Sequence, residues 1–186
     1  MTQQKESLFS IARRDLKEIR IHIVWMVLAF ILGSTLGVLY PERGEQLAAG
    51  FAQMVAGMRE LGPVALIFAI LLRNAMAVAI AILFGMLLGV APILASLTNG
   101  MLVGFLLAQE PSGWWRLIPH GIFELPAVFI GWGAGLWVGM WILRPPRFAT
   151  LKRRLGAALR IYAVIVLPLL IIAAVVEGLS AALLYW

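Results

Sequence analysis

The 186-residue chain contains no cysteine. That excludes a disulfide framework, a thiolate nucleophile and any cysteine-ligated metal, and it leaves the redox character of the compartment unreadable. Histidine occurs only as His22 and His120, so the second histidine of an HExxH zinc site has no counterpart beside His120. Ser96 and Ser180 lack the glycine-flanked turn of a nucleophile elbow, and no serine-histidine-acid set is suggested. Charge is scarce as well. Only 13% of residues are charged, where a soluble domain carries roughly a quarter. Hydrophobic residues make up 62%. Such a chain buries a core between helices and still has an apolar exterior, which lipid alone can cover.

The net charge is +6. In a soluble protein this would raise nucleic acid as a partner; here the positions of the charges point to a bilayer, and no nucleic-acid partner is expected. The first 20 residues are too charged for a cleavable signal peptide, and no clear small-x-small cleavage pattern follows the first apolar stretch, which is expected to stay as an anchor.

About 20 apolar residues cross a bilayer. On that measure the chain reads as an all-α polytopic transmembrane helical bundle. Its five spans fall at about residues 21–40, 66–91, 93–108, 117–143 and 161–186, within one domain covering 21–186. Residues 1–20 read as a cytoplasmic amphipathic helix. Leu8, Ala12, Leu16, Ile19 and Ile23 recur at steps of three or four, with Arg13, Arg14, Lys17, Glu18 and Arg20 elsewhere. An ordinary solvated helix leading into the first span fits equally well. Leu47, Phe51, Met54 and Met58 mark a second, interfacial helix within 41–60. The apolar run over 61–95 is too long for one crossing and holds Arg73-Asn74. It is read as one crossing ending near Pro92, although residues 62–72 could instead form a re-entrant or surface piece. Residues 144–160 read as a basic connector.

Lysine and arginine set the orientation. An alternating five-span path puts Lys5, Arg13, Arg14, Lys17 and Arg20 on one side. Arg144, Arg147, Lys152, Arg153, Arg154 and Arg160 join them there, leaving Arg43, Arg59 and Arg116 opposite. The N-terminus is therefore expected in the cytoplasm and the C-terminus outside the inner membrane. Tyr40, Trp114, Trp115, Tyr185 and Trp186 then fall at outer ends, and Trp25, Trp141 and Tyr162 at inner ends, as amphipathic rings prefer. A six-span path would separate the two basic clusters and is rejected.

Small residues four apart let helix backbones approach closely in lipid. The chain has Gly33/Gly37, Gly85/Gly89, Gly100/Gly104 and Gly131/Gly135/Gly139. They serve either packing within the bundle or a homo-oligomer.

Six polar residues lie in apolar sequence: Arg73, Asn74, Asn99, His120, Glu124 and Glu177. Ionisable groups inside hydrocarbon are costly and often mark function. His120 and Glu124 share one helix face, being four apart. Pro119 and Pro126 bracket them and free backbone carbonyls. Three readings compete. The group can be interhelical glue, worth roughly 0.6–2 kcal/mol per hydrogen bond. It can be an ion or proton path, since buried Glu and His titrate near neutral pH. It can be a metal-dependent enzyme site on His120, Glu124 and Glu177, though a lone His-x-x-x-Glu spacing signals this weakly.

Arg73-Asn74, the glycine-rich 85–89, Leu97-Thr98-Asn99-Gly100 with Gly104, and Pro119-His120-Gly121-Ile122-Phe123-Glu124-Leu125-Pro126-Ala127 together resemble the stage II sporulation protein M family. Val176-Glu177-Gly178 is similar to that family's Ile/Val-Glu-Ala, with Gly178 in place of alanine. Arg73 stands where a second asparagine is common. The resemblance covers roughly residues 20–186. It implies a polytopic inner-membrane protein that, in spore-formers, scaffolds a peptidoglycan-degrading complex with other membrane-bound proteins during engulfment. The expected function is thus a non-catalytic scaffold or partner subunit without a cofactor, with a transporter or channel-like component as the alternative. The expected partners are the bilayer and other membrane proteins.

Overall fold

The computed structural model describes residues 6–58 and 61–185, with side chains throughout except at 113–120 and 181–185. Among the described residues there is no strand. The helices are α1 (Leu8–Leu39), α2 (Pro41–Ala56), α3 (Pro63–Gly85), α4 (Val90–Gln109), α5 (Trp114–Gly139), α6 (Arg147–Ile161) and α7 (Leu167–Tyr185). A π-turn over Tyr162–Val166 joins α6 to α7. Five helical units are long and apolar enough to cross a bilayer: α1, α3, α4, α5 with the 3₁₀ turn after it, and the joined α6–α7. The protein is an all-α polytopic helical bundle.

Local chemistry explains most of the boundaries. The Ser7 side chain accepts a hydrogen bond from the Ser10 N–H at 3.2 Å, capping α1. No proline or glycine intervenes before Gly33, so the amphipathic N-terminal segment and the first span form one helix. At 1.5 Å per residue its 32 residues run about 48 Å, well beyond the roughly 30 Å hydrocarbon core. Pro41 and Pro63 open α2 and α3 at positions where a helix needs no N–H donor.

Two expected boundaries move, and one alternative falls away. The second crossing ends at Gly85 rather than near Pro92, because Leu88 (φ 59°) and Gly89 (φ 73°) both take the left-handed conformation and reverse the chain. Pro92 instead sits in the first turn of α4, where its missing donor costs nothing. Residues 62–72 form no separate piece, since α3 is continuous from Pro63. The basic connector is itself helical from Arg147, continuous with the last crossing. Pro168 would strip the Val164 carbonyl of its usual donor. The wider π-turn just before it absorbs that loss without ending the helix.

The fourth crossing is the centre of the bundle, with α1, α3, α4, α6 and α7 all packed against α5. Ile19, Met26, Val78, Ile82, Trp132, Val138, Ile161 and Leu170 fill the core. The glycines set the closest approaches. On α1, Gly33 and Gly37 lie against the backbone of Leu97 and Met101 on α4, and Gly100 and Gly104 lie reciprocally against Phe30 and Ser34. Gly85 meets the backbone of Gly135, Gly131 meets Val78, and Gly139 meets Gly85 and Gly89. Residue numbers rise together in both pairs, so α1 runs parallel to α4 and α3 to α5. An alternating five-pass path requires that sense.

Candidate functional site

The proline-bracketed motif lies on α5, the most enclosed helix. Pro126 is inside it and removes the donor that would have met the Ile122 carbonyl, yet the helix continues to Gly139. The turn after Glu124 is buried through Ala127 and Val128. Glu124 is half-buried and faces a cavity of about 110 Å³ between α1, α4 and α5. Phe30, Asn99, Val103, Gly121, Leu125, Val128 and Trp132 complete the lining. Such a void has room for several waters. Asn99 and Glu124 thus meet in one space, and the remaining wall is apolar. The Asn99 amide donates to the Ala95 carbonyl at 2.8 Å, one turn back in its own helix. Beside the cavity, Phe129 stacks edge-on against Phe30 (centroids 5.3 Å apart) and against Trp132 (6.0 Å). Edge-to-face rings of this kind stiffen a wall.

Arg73 and Asn74 form a second polar pair. The Arg73 Nε donates to Asn74 Oδ1 at 3.0 Å, and the guanidinium lies 5.1 Å from the ring centre of Phe51 on α2. Asn74 is buried. It stands one turn before Val78, and Ala127 stands one turn before Gly131; because Val78 meets Gly131, Asn74 lies at the depth of the motif. Glu177 is half-buried on α7, next to Gly178, which packs against Ile67 of α3. Glu124 and Glu177 each have an interaction partner. The His120 side chain lies outside the described residues. Among the described residues no three His, Asp or Glu side chains converge as metal ligands.

A further polar assembly, which the sequence reading does not single out, ties the start of α1 to α6. Asp15 is buried and accepts from Arg160 Nε and Nη2 at 3.0 and 2.9 Å. Arg153 pairs with Glu18 at 3.0 Å. Arg154 is buried, donates to the Trp137 carbonyl at 2.6 Å, and lies 4.9 Å from that residue's ring. Trp141 donates to the Met86 carbonyl at 3.0 Å, and the Tyr162 hydroxyl to that of Ala75 at 2.9 Å. One signal was present in the sequence. Asp15 shares a helix face with Ala12 and Ile19, and an acid on an otherwise apolar stripe calls for a partner.

Five long apolar helices, glycine-clasped in parallel pairs around a motif-bearing central helix, define a multi-pass integral membrane protein. The match to the family model described as Stage II sporulation protein M runs over residues 23–181, and the chain belongs to that family. No curated protein and no solved structure matches it.

Proposed function

We propose that the chain is a non-catalytic scaffold or partner subunit of a membrane or envelope complex. It would lie in the cytoplasmic membrane with its N-terminus inside and its C-terminus outside. One observation carries this reading: the motif helix α5 is clasped to α3 by backbone-to-backbone contact at Gly85–Gly135, and α1 to α4 likewise at Gly33–Leu97 and Gly100–Phe30. Contacts this close favour a fixed frame over helices that slide. The remodelling of peptidoglycan associated with the family in spore-formers supplies a class of partner: membrane-anchored proteins that act on the cell wall.

A second reading rests on the cavity. A carboxylate and an amide facing one otherwise apolar cavity would also suit a bound ion or a proton relay. Reconstitution separates the two. In liposomes, the protein is expected to pass no protons or monovalent cations above the leak of empty vesicles. A photocrosslinker on the lipid face of α3, at Met76, is expected to trap a membrane-anchored envelope protein in the native membrane. Flux that disappears in Glu124→Gln would overturn the scaffold in favour of transport.

A further inference from the structure

Arg154 is the one buried cation among the described residues, at 7% exposure, and no carboxylate there pairs with it. Its Nη1 goes to the Trp137 carbonyl, and its Nε is buried without an acceptor among the described residues. Glu18 is the acid whose charge reaches it, but that carboxylate is held by Arg153 at 3.0 Å. Two further cations crowd the place. Arg153 lies over the same Trp137 ring as Arg154, 5.5 Å from its centre, and Arg144 stands close enough to repel Arg154. Arg144 is exposed and has no side-chain partner among the described residues. Three guanidiniums thus share one carboxylate. A buried charge is costly unless an opposite charge meets it, so this junction of α1, α5 and α6 is short of an anion.

The junction lies at the edge of the apolar region, not within it. Arg144 is the first charged residue after Glu124, following the 3₁₀ turn Met140–Leu143, and Arg20 is the last before the apolar run of α1. The boundary between hydrocarbon and headgroups therefore passes here, and Trp141 stands beside it, as indoles prefer. Next to the cations, Leu143 is 66% exposed and Phe148 80%.

We infer that Arg144 and Arg153 hold the phosphate of an anionic phospholipid in the leaflet on the side where α1 begins, its charge countering Arg154 beneath them and an acyl chain lying against Leu143 and Phe148. The guanidinium of Arg144 keeps its whole fork of donors for a phosphate. A free anion or an acidic peptide would make no use of the two exposed apolar side chains, whereas a lipid engages both charge and hydrocarbon.

Native mass spectrometry of the full chain in detergent tests this, using dioleoyl phosphatidylglycerol and dioleoyl phosphatidylcholine. Arg144→Gln is expected to bind phosphatidylglycerol about tenfold more weakly than wild-type protein. Arg13→Gln removes the same charge from an exposed site earlier on α1 and should bind as wild type does. The choline cation is repelled by the cluster, so phosphatidylcholine should bind weakly to all three. Unchanged binding by Arg144→Gln, an equal loss in Arg13→Gln, or equal binding of phosphatidylcholine by wild type overturns the site. Displacement of the lipid by millimolar inorganic phosphate identifies a free-anion site and also overturns it. Should Arg144→Gln not fold, wild-type protein decides the matter alone. Phosphatidylglycerol with a photoreactive acyl chain should label the segment Met140–Phe148. Labelling absent from that segment, or matched by phosphatidylcholine, refutes the proposal.

Discussion

Asp15 shows how single residues are constrained at the end of the bundle where α1 begins. Its carboxylate side chain is only 9% exposed, and both donors reaching it come from Arg160, whose own side chain is 38% exposed. Removing the acid leaves an arginine that can rehydrate. Asp15→Ala should therefore cost only about 1–2 kcal/mol, near the low end for a charge-assisted bond. Thermal unfolding of the purified protein in detergent reads this, and a double-mutant cycle with Arg160→Ala should return most of it as coupling. On the scaffold reading, Glu124 serves the cavity it shares with Asn99 by its shape and its hydrogen-bonding capacity. Glu124→Gln keeps both and should purify at wild-type yield, whereas Glu124→Leu puts hydrocarbon against Asn99 and should not. Equal loss of yield in both variants would refute a hydrogen-bonding role for this side chain.

At the scale of elements, what the sequence shows depends on whether the cause is local. Apolar runs broken by charge mark the crossings, and glycines four apart mark faces of close approach; both are properties of neighbouring residues. Other features have distant causes. Pro92 looks like a terminator until Leu88 and Gly89 are seen to have ended α3 already. The helical course of 147–185 depends on a π-turn, and Pro168 read alone suggests a break. Glu18 and Asp15 find their arginines well over a hundred residues away. Of the site, the meeting of Asn99 with Glu124 was legible as two polar residues in apolar sequence. That Arg73 turns to Phe51 was not, because it requires α2 to fold back over α3. Glycine replacements test the element scale. A Cβ at Gly135 would stand 2.8 Å from the Ala81 carbonyl oxygen, and leucine there should wedge α3 from α5, costing about 1–3 kcal/mol or more. Nothing lies within 4 Å of the same position at Gly50, so Gly50→Leu should leave thermal stability unchanged.

For the whole molecule, charge distribution and helix direction bear on one arrangement. The basic residues gather where α1 begins and α6 runs, and α1 with α4, like α3 with α5, are parallel as alternate passes must be. On the orientation proposed above, a reporter fused after Trp186 should be active only outside the cytoplasm; cytoplasmic activity would overturn it. The pairing also has a consequence for how the chain is made. Neither clasp joins consecutive crossings: α1 must wait for α4, and α3 for α5. At about 5–20 residues per second, several seconds pass before each small-residue face meets its partner. During that time two unsatisfied helices stand side by side in the bilayer, held by lipid or by the insertion machinery. A nascent chain halted after residue 85 exposes both faces, and pulse-chase should find it degraded faster than one halted after residue 143. The interleaving makes the central helix, with its motif, the late arrival on which the earlier insertions depend.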